Sequence, residues 1–217
     1  MAQNLSSVEE ESTFLVTYID SEFAEEGERV IDECFWEEME KADRVEIFVA
    51  YCGYNSLGEI NQFVKKGNIK NICLILGMYF FIGFGEAMYK LVMKIHTKWQ
   101  RMGVGEIRLL DYFPNHGKLY CFYKNDHLFS AIIGSPNLSF LIPADKDIMP
   151  TQCEMAELIH KPSSLKLYRK RMEKLRSDRF SRNMTFLERY KNTISAKEID
   201  NDGEVVTKNK ITYTKNY

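Results

Sequence analysis

An α/β fold, with a mixed β-sheet flanked by helices on both faces, is predicted by three features of this sequence. Short β-branched and aliphatic runs alternate with longer amphipathic stretches as far as residue 111, the pattern of repeated β-α-β units. Two of the runs, Val45-Glu-Ile-Phe-Val-Ala-Tyr-Cys52 and Ile69-Lys-Asn-Ile-Cys-Leu-Ile-Leu76, are almost continuously apolar, as strands covered on both faces are. Beyond residue 111 the strand-like runs follow one another directly, which adds an antiparallel part to the sheet.

The first element is a strand over residues 13–19, Thr-Phe-Leu-Val-Thr-Tyr-Ile. A Glu-rich helix is expected from Ser21 to Ala42, with Phe23, Val30, Ile31, Phe35 and Met39 as its apolar positions. Between the two apolar strands lies a helix from Ser56 to Lys66, ended by Gly67. A long helix from Gly85 to Met102 precedes the strand Glu106-Ile-Arg-Leu-Leu-Asp111. Next come a strand carrying His116 and Lys118, its neighbour Leu128-Phe-Ser-Ala-Ile-Ile133, and a strand through Gln152-Cys-Glu154-Met-Ala-Glu157. Residues 140–151 hold Pro143, Asp145, Asp147 and Pro150 without periodicity and read as a loop bordering the site. Ser163 opens an amphipathic helix with Leu165, Tyr168, Met172 and Leu175 on one side, and a second helical piece is expected over 184–196. After Ile199 a turn signal with short strand-like flanks begins, so residues 1–198 form one domain and 199–217 a tail or the start of a further domain.

With 217 residues, 45% of them hydrophobic, the chain can bury one sizeable core. No apolar stretch reaches the length that a bilayer demands. Residues 1–11 lack the basic start and apolar centre of a signal peptide, so a cytoplasmic protein without membrane contact is expected. Cys34, Cys52, Cys73, Cys121 and Cys153 are odd in number and unclustered, which predicts free thiols rather than disulfides or a zinc site. The net charge of -2 conceals a strong asymmetry. Residues 1–46 carry 15 acidic and 3 basic side chains, against 16 acidic and 26 basic in the remainder. The densest basic stretch, 161–191, suits a polyanionic partner, and Lys166, Arg169, Lys170 and Arg171 are its expected phosphate contacts.

The chemistry concentrates in His116-Gly-Lys118 and Gly134-Ser135-Pro136-Asn137. At i and i+2 of an extended segment, His116 and Lys118 leave the same face, so one can attack phosphorus while the other neutralises its oxygens. The second box turns off the neighbouring strand, where the Ser135 hydroxyl and the Asn137 amide can reach the same oxyanion. Tyr51, Tyr54, Tyr112 and Phe113 stand at strand ends where a base could stack, although packing is the commoner use of such aromatics. His96, His127 and His160 show no partner pattern, and Gly83-Phe-Gly85 lacks the spacing of a phosphate-binding loop.

The two boxes resemble the signature of the phospholipase D superfamily, H-x-K followed by G-S-x-N, and the layout is most similar to the metal-independent restriction endonucleases of the BfiI and NgoFVII type. The resemblance implies attack by His116, a covalent phosphohistidine resolved by water, and no metal or other cofactor. It also implies a carboxylate on the strand after the G-S-x-N turn, for which Glu154 is the better match, placed to hold the histidine tautomer. The family builds its site from two H-x-K boxes and this chain has one, so a homodimer with a composite site is implied. DNA is the substrate that the resemblance favours; an RNA or non-specific nuclease, or a weakened nucleic-acid-binding dimer, is the alternative. One departure stands out: Tyr123 occupies the place of the usual aspartate after the lysine. No zinc finger or helix-turn-helix pattern is visible, so a separate or missing DNA-recognition domain is expected.

Overall fold

In the computed structural model, which describes residues 12–17, 25–141, 153–199 and 205–215, the alternation becomes β1 (Ser12–Val16), β2 (Arg29–Val30), α1 (Ile31–Lys41), β3 (Arg44–Val49), α2 (Tyr54–Lys65) and β4 (Asn71–Leu76). It continues through α3 (Tyr79–Ile82), β5 (Phe84–Gly85), α4 (Glu86–Met102) and β6 (Gly105–Leu110). Three strands follow with no helix between them among the described residues: β7 (Leu119–Lys124), β8 (His127–Gly134) and β9 (Met155–Ile159). The last part comprises α5 (Pro162–Arg176), β10 (Ser181–Asn183), α6 (Met184–Leu187), a 3-10 turn, β11 (Lys191–Ile199) and β12 (Val205–Tyr213).

Nine strands form one mixed sheet in the order β10-β6-β4-β3-β7-β8-β9-β1-β2. β6, β4 and β3 run parallel, as helical crossovers require, whereas β7, β8, β9 and β1 alternate in direction. Strand alternation sorts the core into two clusters. Ile47, Leu74, Ile107, Tyr120 and Phe122 pack with α1, α2 and α4 on one face. Phe48, Ile75, Leu119, Cys121 and Tyr123 pack against Leu165, Met172 and Leu175 of α5 on the other. The expected fold class, a mixed sheet with helices on both faces, is therefore the one observed.

Several boundaries differ from expectation. The first helix starts at Ile31 rather than Ser21, because Gly27 turns the chain at φ 91° and Arg29–Val30 pairs parallel to β1; residues 18–24 lie outside the described residues. The helical piece expected over 184–196 ends at Leu187, since Lys191–Ile199 pairs along its whole length with β12. That hairpin straddles the boundary expected at residue 198, and it joins the body where β12 pairs with β5 and where Ile211 and Tyr213 enter the core. Most of the loop expected over 140–151 lies outside the described residues.

The strand registers bring one set of strand ends together. Val49 lies beside Leu76, Phe48 beside Leu119, Leu119 beside Ile133, Gly134 beside Ala156, and Met155 beside Val16. Residues 50–54, 77–79, 111–118, 134–138 and 154 all project from this end. It is the end where the carboxyl termini of the parallel strands lie, the usual seat of function in such sheets.

Candidate active site

Two glycines allow the backbone to close around this end. A Cβ at Gly77 would stand 2.2 Å from the carbonyl oxygen of Asn115, so only glycine lets the 113–118 loop cross the end of β4. A Cβ at Gly134 would stand 2.4 Å from the carbonyl oxygen of Met155, where β8 and β9 cross closely. Within the loop, the Asn115 side chain accepts the Gly117 amide at 2.9 Å, which sets the turn between the histidine and the lysine.

His116 is exposed and lies ahead of β7 rather than inside it. Lys118 is 94% buried at the mouth of the same strand. Its Nζ is 2.6 Å from His116 Nδ1 and donates to the His116 carbonyl oxygen at 2.8 Å. Burial lowers the pKa of Lys118 below the usual lysine value, and the charge of Glu154 opposes that shift. The edge of the Tyr51 ring meets the His116 imidazole, with centroids 5.8 Å apart.

Asn137 is fixed by its own oxygen. The Tyr51 backbone N–H donates to its Oδ1 at 3.1 Å, and Leu138 bridges to Cys52 beside it. Its two amide hydrogens are thereby left for another acceptor. Ser135 is used differently: its Oγ accepts the Met155 amide at 3.1 Å and its backbone N–H donates to the Met155 carbonyl oxygen at 2.9 Å, so it clamps the turn to the start of β9. Glu154 precedes that clamp, held through its backbone to Thr17. Its carboxylate acts electrostatically on Lys118, and among the described residues no hydrogen bond joins it to His116. Histidine, lysine and asparagine are thus linked through Tyr51, with Ser135 just after the end of β8 and Glu154 just before the start of β9.

The four basic residues of α5 divide. Lys170 and Arg171 line a cleft of about 820 Å³ between α5 and the 115–119 segment, joined by Lys174, which the sequence reading passed over. Lys166 is exposed outside that lining. Arg169 ion-pairs with Asp126 and Glu173 and ties α5 to the β7–β8 turn. Tyr54 and Tyr112 are exposed, and Tyr112 packs edge-on against Phe180. His96 is buried between the Ile107 amide and Thr185. Among the described residues, no group of three or more His, Cys, Asp or Glu is gathered as a metal site, and no helix is long and apolar enough to cross a membrane. Cys34, Cys52, Cys73, Cys121 and Cys153 are all free thiols.

The model of the NgoFVII restriction endonuclease N-terminal PLD domain matches residues 29–189. No curated protein matches the chain. Among solved structures, phosphatidylserine synthase from Haemophilus influenzae Rd KW20 is similar at 14% identity and a TM-score of 0.51, covering 80% of this chain and 40% of the synthase. NucT from Helicobacter pylori is similar at 11% identity and a TM-score of 0.48, over 65% of this chain and 84% of NucT. The archaeal chromatin protein TrmBL2 is similar at 16% identity and a TM-score of 0.40, over 65% of this chain and 46% of that protein. The chain therefore spans less than half the length of two of these three structures.

Proposed function

Because the chain belongs to the family of the NgoFVII restriction endonuclease N-terminal PLD domain, we propose that it is a nuclease which hydrolyses DNA phosphodiesters through a phosphohistidine, without a metal, as a homodimer. The observation that carries this reading is the direct contact between Lys118 Nζ and His116 Nδ1 at the sheet end, with the Asn137 amide hydrogens unspent beside it.

A charged Lys118 donates to Nδ1 and so places the ring proton on Nε2, where it blocks attack. An arriving phosphate draws the ammonium onto its nonbridging oxygens, and the imidazole then changes tautomer through solvent: Nε2 gives up its proton and Nδ1 takes one, which it donates in a hydrogen bond to Glu154, whose charge already acts on Lys118. Nε2 is left with its lone pair free. It bonds to phosphorus while the P–O bond to the leaving strand breaks, and the departing oxygen takes a proton from the protonated imidazole of His116 of the partner subunit. That imidazole, now neutral, accepts a proton from water as the water oxygen bonds to phosphorus and the P–N bond breaks. Asn137 donates to the oxygens, on which charge builds in both steps.

Cleavage of plasmid DNA in millimolar EDTA, with acid-labile, base-stable trapping of 32P on protein, tests the reading. Label recovered on the wild type and absent from His116→Ala is expected. Loss of cleavage in EDTA that magnesium restores refutes it.

A further inference from the structure

The cleft along α5 has a composition that a duplex backbone does not call for. Phe48, Leu119 and Ile133 from the sheet, with Leu167, Tyr168 and Leu175 from α5, give it apolar walls. Leu167 is 66% exposed there, an unusual position for a leucine on a helix otherwise basic on its outer side. Lys118, Lys170, Arg171 and Lys174 supply the charge, and among the described residues none that lines the cleft is acidic. At about 820 Å³ the cleft falls within the range of sites that enclose a small organic group. It begins at the Asn115–Leu119 backbone, directly beside the histidine and lysine.

We propose that this cleft seats an unpaired nucleotide flanking the scissile phosphate, so that the preferred substrate is single-stranded or locally melted DNA. The inference rests on the nuclease reading above and adds the form of substrate that the same site takes. The chemistry is that of an anionic chain carrying flat apolar groups. A base seated on Tyr168, Leu167 and Phe48 brings its flanking phosphates to Lys170, Arg171 and Lys174. Single-strand binders combine a basic track with aromatic and apolar platforms in this way. A duplex keeps its bases stacked inside and would use the cations alone, leaving the apolar walls wet.

The test is fluorescence anisotropy with a labelled oligodeoxynucleotide of about twelve nucleotides, a length within single-strand site sizes, offered alone or as a duplex. Wild type and Leu167→Ser are compared in parallel with sedimentation velocity; Leu167 is exposed, so its replacement leaves the core intact. Wild type is expected to bind the single strand more tightly than the duplex. Leu167→Ser is expected to lose about fivefold for the single strand and little for the duplex. Equal affinities for the two forms in the wild type, or equal losses in the variant, would overturn the proposal. So would a shift of Leu167→Ser from dimer to monomer, which would make the cleft an interface between copies. Competition by phosphatidylglycerol vesicles that depends on Leu167, with single-strand binding independent of it, would overturn it in favour of a lipid. Hydrolysis of bis(4-nitrophenyl) phosphate by the wild type tests the nuclease reading separately, because that ester carries no base to seat.

Discussion

Replacing Tyr123 by aspartate restores the residue that the H-x-K signature leads one to expect, and the structure predicts that the restored residue unfolds the protein. Tyr123 is fully buried, and its hydroxyl donates to Glu46 Oε2 at 2.7 Å. The Glu46 carboxylate, also fully buried, accepts from Arg44 at 2.9 Å and from Arg176, while the Arg44 guanidinium lies 4.1 Å over the Tyr123 ring. Burial raises the tyrosine pKa far above its ordinary value, so the hydroxyl remains a donor. Aspartate removes the ring, a loss of about 3–5 kcal/mol for a large buried aromatic, and sets a second carboxylate beside the fully buried Glu46. Together these exceed about 5 kcal/mol, comparable with the whole stability of many domains. Tyr123→Phe keeps the ring and deletes one hydrogen bond to a charged group, at about 1.5–3 kcal/mol. Urea unfolding followed by circular dichroism measures both: a midpoint lowered by about 1 M is expected for Tyr123→Phe, and no folded baseline for Tyr123→Asp. A Tyr123→Asp protein as stable as the wild type would refute the assignment of Glu46 as the resident carboxylate.

His116→Ala should abolish DNA cleavage while leaving binding within about twofold, since the imidazole supplies chemistry rather than affinity; equal residual turnover in a plasmid assay would place the nucleophile elsewhere. Subunits exchanged to an equal mixture of wild type and His116→Ala should keep about a quarter of the wild-type activity, because only all-wild-type dimers hold both imidazoles; half would point to independent chains. Replacing Lys170, Arg171 and Lys174 by alanine should lower the slope of log affinity against log salt for single strands by about 2, whereas Arg169→Ala should change it little and cost stability, because Arg169 is already paired with Asp126 and Glu173. Burial lowers the pKa of His96, with Glu106 opposing, so the unfolded chain binds the proton first as pH falls. Stability should therefore drop from about pH 6.5 downward, by at most about 1.4 kcal/mol per pH unit, and a His96→Gln variant should show a flatter urea midpoint over that range.

The strands and most helices were legible because their burial is periodic. Cys34, Phe35 and Met39 recur on one face of α1, and Val92, His96 and Trp99 recur on one face of α4. The hairpin of β11 and β12 was not legible: Thr193, Ile194 and Ala196 suit either state locally, and only the register against Val205–Tyr213 decides. Within the site, spacing gave His116 and Lys118 because i and i+2 share a face. The linkage of Asn137 to the Tyr51 backbone crosses 86 residues and leaves no local mark. Lys174 and Leu167 went unnoticed for a similar reason, since a cleft is made by the packing of α5 on the sheet rather than by any pattern within α5.

The geometry also separates what Tyr123 does from what His116 does. Tyr123 lies beside Arg44, the first residue of β3, whereas Leu119 lies beside Phe48 near the end of that strand. At about 3.3 Å per residue, the Tyr123 hydroxyl and the Glu46 network stand on the order of 15 Å from the imidazole, at the opposite end of the sheet and on the α5 face. At that distance Tyr123 supports the Glu46 carboxylate that holds Arg44 and Arg176, and through Arg176 the anchoring of the end of α5. It leaves the contact of Lys118 with His116 and the orientation of Asn137 untouched. The tyrosine at 123 is therefore no argument for a weakened site: in this chain the buried carboxylate that pairs with Arg44 and Arg176 is Glu46 on the neighbouring strand β3, and Tyr123 is long enough to donate to it.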